Sequence, residues 1–238
     1  MDVYPPREDT YLLLPFAQVP PGTTLADVGT GAGLAALTAA RHGARVVATD
    51  MNPVALRRLL EAARAEHLAI KVVRTDLLRG LGRFDRILAN PPYLPTRSRE
   101  RDPDLGINLA LDGGPDGCRV LARLVRGLSR HLAAAGIAYI VVSSLQDPSR
   151  RAAILARWVS GGGSYEVAAT RWLEGERLDV LRMWRSGTPD RAGRPTRAVR
   201  HGRAPLPGTV ARPRTHRTTR SGSSPVPGRE RTIARGGA

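Results

Sequence analysis

The sequence predicts an α/β fold with a mainly parallel sheet covered by helices on both faces, and three observations carry that prediction. From Thr24 to Trp184, apolar runs of strand length alternate with segments of helical period. The stretch Asp27-Val28-Gly29-Thr30-Gly31-Ala32-Gly33 reads as a glycine turn between a strand and a helix, where missing Cβ atoms let backbone lie against a small ligand. Asn90-Pro91-Pro92-Tyr93 follows another apolar strand. Ligands in open α/β sheets sit at such carboxyl ends of strands.

Taken in order, Tyr4 to Pro21 is proline-flanked and polar, with Tyr11 to Leu14 a short apolar helix or cap. Thr24 to Val28 is the first strand, and Gly33 to His42 the first long helix, stopped by Gly43. Ala44 to Asp50 is an apolar strand ending in an acid. Asn52 then caps a helix with Pro53 at its first position, and Leu56, Leu60 and Ala63 share one face. Ile70 to Thr75 and Phe84 to Ala89 are the next strands, ending at Asp76 and Asn90. Leu94 to Gly117 is polar, charged and glycine-rich, too long for a simple connection, and is expected to be a lid or substrate loop. A helix follows with Leu121, Leu124, Leu128 and Leu132 on its stripe and Arg119, Arg123, Arg126 and Arg130 off it. Ile137 to Ser143 is a strand, Arg150 to Val159 a helix, and Tyr165 to Trp172 with Arg177 to Trp184 a closing hairpin.

Two domains are expected: a folded body over residues 1–185 and an Arg/Pro/Gly-rich tail over 186–238. The tail has too little apolar periodicity to bury a core and reads as a disordered, solvated segment, or as an arm for RNA or another polyanion. It carries twelve arginines against Asp190 and Glu230, so the net charge of +16 leaves +6 for the body. A modestly basic body suits an anionic partner without requiring one. No apolar run reaches the ~20 residues that span a bilayer, and the start lacks the pattern of a signal peptide, so a cytoplasmic location with no membrane partner is expected. A lone cysteine, Cys118, makes neither an intrachain disulfide nor a zinc site.

Two cofactors compete for the glycine turn. A dinucleotide fingerprint can be forced onto Gly31, Gly33 and Ala36, with an acid further on. Against it, Asp27 stands two residues before Gly29, where a carboxylate suits a cationic ligand better than a pyrophosphate. S-adenosyl-L-methionine carries a sulfonium and an ammonium and no phosphate. Asp50 is placed to accept from ribose hydroxyls, and Asp76 to accept from an adenine amino group. Acids at strand ends also cap turns and helices, so each has a purely structural alternative.

Asn90-Pro91-Pro92-Tyr93 suits a planar amide or amine nitrogen whose lone pair is delocalised. Acceptors aimed at its two hydrogens orient that lone pair and stabilise the charge that develops on nitrogen. Asn90 Oδ1 and the Pro91 carbonyl supply them, the prolines stiffen the backbone, and Tyr93 stacks on the planar group. Asn-Pro is also an ordinary turn dipeptide.

Together these residues resemble class I S-adenosylmethionine-dependent methyltransferases of the HemK type, which methylate a glutamine side-chain nitrogen in translation release factors. The resemblance covers roughly residues 3 to 185, and Tyr4-Pro5-Pro6-Arg7-Glu8-Asp9-Thr10 looks like the short-form branch of archaea and eukaryotes. It implies a Rossmann-like, seven-stranded sheet with the last strand antiparallel. It also implies that Asp27, Gly29 and Gly31 hold the methionine end, Asp50 the ribose, Asp76 the adenine and Thr10 the cofactor carboxylate. Asn90, Pro91 and Tyr93 would hold the acceptor nitrogen, with Asn90 also bordering the cofactor, and Ala110 to Gly117 looks like the family segment after that motif. A release factor is the implied protein substrate, a small zinc-binding activator subunit a possible partner, and nucleic acid a contact for the arginine tail. The same tetrapeptide also serves exocyclic amino groups of RNA or DNA bases. Lysine methylation and a binding protein without turnover are weaker alternatives.

Overall fold

The computed structural model describes residues 3–186, so the tail beyond Ser186 and its expected nucleic-acid contact lie outside the described residues. Seven strands form one sheet: β1 (Thr24–Val28), β2 (Arg45–Asp50), β3 (Ile70–Arg74), β4 (Phe84–Ala89), β5 (Leu132–Ser143), β6 (Gly163–Leu173) and β7 (Glu176–Arg185). Their order is β3-β2-β1-β4-β5-β7-β6. The pairs from β3 through β5 are parallel, whereas β7 runs antiparallel to both β5 and β6. The last strand is thus the antiparallel one, inserted between its hairpin partner and the parallel set.

The helices are α1 (Glu8–Leu13), α2 (Leu34–Arg41), α3 (Pro53–Ala65), α4 (Leu105–Leu111), α5 (Arg119–His131) and α6 (Pro148–Ser160). Strand residues alternate between two cores, as the period of two demands. Leu25, Val46, Leu88 and Val141 meet Leu13, Ala36, Ala39 and Leu59 of α1, α2 and α3 on one face. Ala26, Ile87, Ile140 and Met183 meet Leu121, Leu124, Leu128 and Trp158 of α5 and α6 on the other. Asn52 caps α3 by accepting from Val54 N at 2.9 Å, with Pro53 at the first helical position, as the sequence predicts. Among the described residues no helix is long and apolar enough to cross a membrane.

At the amino ends of β1 and β4, Asp85 Oδ2 accepts from both the amide and the hydroxyl of Thr24, at 2.9 and 2.7 Å, and Asp85 N donates back to Thr24 Oγ1 at 3.0 Å. This reciprocal lock fixes the register in which Asp27 stands beside Leu88 and Val28 beside Ala89.

Two boundaries differ from the sequence reading. Leu132 belongs to β5 rather than to the helical stripe: α5 ends at His131 and Leu132 has extended backbone, yet it stays fully buried. A register shift in the β4–β5 pairing, from Phe84 opposite Leu132 to Arg86 opposite Ile137, absorbs the intervening residues. The segment expected to be an irregular lid contains α4, whose cap Asp104 accepts from Gly106 N at 2.5 Å. Its seven residues include a glycine and lie in a charged stretch, which hides the helical period.

Candidate active site

A cavity of about 370 Å³ opens at the carboxyl ends of β1, β2 and β4, where the strand order turns from β1 to β4. Asp27, Gly29, Gly31 and Asp50 line one part of it; Asn90, Pro91 and Tyr93 line another, and Thr10 reaches in from α1. Eight of the nine residues singled out in the sequence therefore share one space. Asp76 is the exception. Its carboxylate pairs with Arg123 of α5, and Leu77 stands at the cavity in its place, with φ at 55°.

The glycine turn carries positive φ at Gly29, Gly31 and Gly33, at 69°, 52° and 80°. A Cβ on Gly29 would meet nothing within 4 Å, and one on Gly31 only the Gly29 carbonyl at 4.0 Å, so a side chain there would fill open cavity rather than strike protein. Gly33 differs, because its Cβ would press on Leu59 of α3, 2.7 Å from Cδ1 and 3.3 Å from Cβ.

Asp50 uses both oxygens to shape this loop: Oδ2 accepts from Gly31 N at 2.9 Å and Oδ1 from Asn52 N at 2.8 Å. Asp27 is 4 % exposed and accepts through Oδ2 from Thr30 Oγ1 at 2.6 Å and from Ala36 N at 3.1 Å, in the first turn of α2. Burial pushes its carboxyl from 3.8 up to about 6, against the lowering effect of those two hydrogen bonds, with nearby Asp50 raising it further.

That shift makes stability depend on pH. Between about pH 4 and pH 6 the folded chain holds a proton on Asp27 that the unfolded chain has released, so stability falls as pH rises through this window. The deficit is complete above it, on the order of 3 kcal/mol. Asp27→Asn keeps an acceptor for Thr30 and Ala36 without the buried charge. It is expected to raise the ligand-free melting temperature at pH 8 and flatten the fall between pH 4 and 6, as scanning calorimetry across that range would read.

On the other side, Asn90 follows β4, and its Oδ1 is buried with no hydrogen-bond partner among the described residues. Buried polar atoms are usually satisfied, so a buried acceptor in a cavity wall with no protein partner is suited to a donor group on a ligand. The Tyr93 hydroxyl donates to Asp9 Oδ2 at 3.1 Å. Burial first, and the Asp9 carboxylate second, hold that phenol well above its usual range, so it stays a donor.

The segment after Tyr93 folds back on it. Gly113 N donates to Leu94 O at 2.9 Å, Leu94 N to Leu111 O at 3.1 Å, and Gly117 O accepts from buried Gln146 Nε2 at 2.8 Å. Asp112, 5 % exposed, joins Arg101 and Arg119 at 3.0 and 3.1 Å; against burial, which raises its carboxyl, the Gly114 amide first and then Arg119 and Arg101 hold it below the usual range. Asp9 and Glu176, also at the cavity, carried no role in the sequence reading. The charged run at Arg7 to Asp9 was a visible signal for the first. Glu176 accepts from Ser143 Oγ at 2.5 Å across 33 residues, and no local pattern announces it.

Sheet order and glycine cradle define a methyltransferase of the class I fold, and residues 8–104 match the family model described as "Methyltransferase small domain". A Methanocaldococcus jannaschii protein whose name gives it as a candidate protein N5-glutamine methyltransferase is 34% identical over 186 residues, spanning 77% of this chain and 92% of that protein. Methyltransferase HEMK2 of Mus musculus is 33% identical over 78% of this chain and 91% of its own length. The E. cuniculi Mtq2–Trm112 complex, described as responsible for methylation of the eRF1 translation termination factor, contains a chain that superposes with a TM-score of 0.60 at 28% identity, covering 78% of this chain and all of that one. The chain belongs to the HemK-type methyltransferases.

Proposed function

We propose that the protein is an S-adenosyl-L-methionine-dependent N-methyltransferase that methylates the N5 nitrogen of a glutamine in a translation release factor. The observation that carries the acceptor chemistry is the unpartnered Asn90 Oδ1 in the wall of a cavity whose other end is a glycine cradle. The residues fit the cofactor. Gly29 and Gly31 leave open the volume that Cβ atoms would take, and Asp27 and Asp50 bring negative charge to a ligand that is cationic and lacks phosphate.

When bound, S-adenosylmethionine supplies an electrophilic methyl on a sulfonium. The chain's own work is binding and aim. Asp27 meets the methionine end, where its buried carboxylate is favoured in the ionised form by a nearby ammonium. Asp50, already fixed by Gly31 and Asn52, offers its remaining lone pairs to ribose hydroxyls. Thr10 supports the carboxylate end from α1. Asp76 would serve the adenine only after leaving Arg123, a rearrangement that sets it apart from the other acids.

On the acceptor side, Asn90 Oδ1 and the Pro91 carbonyl accept the two N–H bonds of a glutamine amide. They turn its lone pair toward the methyl and stabilise the positive charge that grows on nitrogen. The Tyr93 ring supports the amide plane. No side chain need act as a strong base: as the N–C bond forms the S–C bond would break with its electron pair left on sulfur, and the amide proton, acidic only once that bond is forming, passes to solvent.

Cavity charge favours a protein acceptor over a nucleic acid. Among the described residues that line the cavity, Arg7 is the single cation, against Glu8, Asp9, Asp27, Asp50 and Glu176. Such a mouth repels the phosphates that would accompany a nucleobase. The likeness to the Mtq2–Trm112 chain supports a small activator subunit as partner, with zinc in that subunit implied by family resemblance alone. A cytoplasmic location follows from the same reading.

The test is transfer of labelled methyl from S-adenosylmethionine into a matched release factor, with and without a co-expressed activator, followed by protease or nuclease digestion. Label that survives nuclease, is released by protease and maps to a glutamine is expected. Nuclease-sensitive label would move the assignment to RNA or DNA.

A further inference from the structure

The first turn of α1 and the tetrapeptide after β4 are joined by one carboxylate, that of Asp9, 84 residues from Tyr93. Asp9 Oδ2 accepts from the Tyr93 hydroxyl at 3.1 Å, while Asp9 Oδ1 accepts from Thr10 N at 2.7 Å. Thr10 Oγ1 leans on the same oxygen at 3.4 Å. Thr10, Asp9 and Tyr93 all line the cavity. The tyrosine ring packs partly buried against the α1–α3 core, which includes Leu13, and this packing limits its position but not its tilt. A phenol tethered at its para oxygen has its tilt set as well.

We propose that Asp9 is a positioning residue that sets the Tyr93 platform and the Thr10 wall together. This inference rests on the acceptor and cofactor assignments made above. Asp9 itself touches neither reacting atom. It acts by holding the ring plane on which the acceptor amide lies and the backbone turn that presents Thr10 to the cofactor. Misplacement of a reacting group by a fraction of an ångström is enough to slow an in-line transfer. The carboxylate is the required group because it alone offers two acceptor oxygens in one plane. An amide in its place turns a donor toward either Thr10 N or the phenol.

The experiment is a double-mutant cycle on the full chain with its activator: Asp9→Ala, Tyr93→Phe and the pair. Methyl transfer, binding of S-adenosylhomocysteine by calorimetry and the melting temperature without ligand are each measured. Each single change is expected to lower kcat by about tenfold with acceptor KM moving much less, and the pair to lose no more than either alone. Asp9→Ala weakens S-adenosylhomocysteine by about fivefold through the loosened Thr10 wall, whereas Tyr93→Phe leaves it near wild type. Independent, multiplying losses of kcat overturn the proposal, and so does an Asp9→Ala chain that binds S-adenosylhomocysteine as wild type does. If wild type leaves the release-factor glutamine unmodified, the acceptor assignment fails by itself. The binding and melting arms need no acceptor, and they then decide on Asp9 alone.

Discussion

Asn90→Ala lowers kcat by about a hundredfold to a thousandfold while leaving the protein at least as stable as before. The two halves of this result have one cause. Asn90 Oδ1 is buried and makes no hydrogen bond within the described residues, so folding bears its desolvation without return. Removing the amide deletes that cost along with a modest volume at a cavity wall. Residues that hold the fold together behave in the opposite way, since their loss is felt in stability first. In the proposed reaction the same oxygen gains its partner, an N–H whose polarity rises as the methyl transfers. The loss therefore falls on kcat, and S-adenosylhomocysteine binding changes only a few-fold. Single-turnover transfer together with a denaturation curve reads both halves, and a variant that is inactive only because it unfolds would contradict the first.

Gly117→Ala is expected to cost about 2–4 kcal/mol of stability and to disturb Tyr93 in whatever fraction remains folded. Gly117 has φ at 69°, where an L side chain is strained. Its Cβ would collide with the Tyr93 carbonyl oxygen and lie 3.3 Å from Gln146 Cγ. Neither neighbour has room to yield. Gln146 is 1 % exposed and tied at both ends of its amide, to Gly117 O and to Ser143 N, and the Tyr93 carbonyl belongs to the backbone that follows two prolines. A urea midpoint shifted down with an unchanged slope, together with a fall in kcat larger than the fall in folded fraction, would report both effects.

What could be read from the sequence was whatever chemistry sits in consecutive residues. The glycine turn, the strand-end acids Asp27 and Asp50, the Asn52–Pro53 cap and the Asn90 tetrapeptide each declare themselves within a few positions, and the cavity brings them together. What could not be read depends on a distant partner. Asp76 looks like its sister acids along the chain, yet Arg123 holds its carboxylate from 47 residues away. Asp9 was in plain view beside Thr10, but its role depends on Tyr93 arriving beside it. Leu132 kept the helical spacing by coincidence, because a buried position at the start of a strand needs the same side chain as one at the end of a helix. The short α4 was lost among charges, since its seven residues do not span two full turns.

The lock between Thr24 and Asp85 has a consequence for how such a chain can change over time. The register of β1 against β4 is pinned at the end of the sheet remote from the cavity. Away from the glycine cradle, the Asn90–Tyr93 stretch and Gly113–Gly117, which the close contacts described above hold in place, the connections at the opposite end can exchange residues without dragging the strands out of step. Change in the exposed residues 97–103 then leaves the pairing of Asp27 with Leu88 and of Val28 with Ala89 untouched. The anchor and the reacting end of these strands are different places.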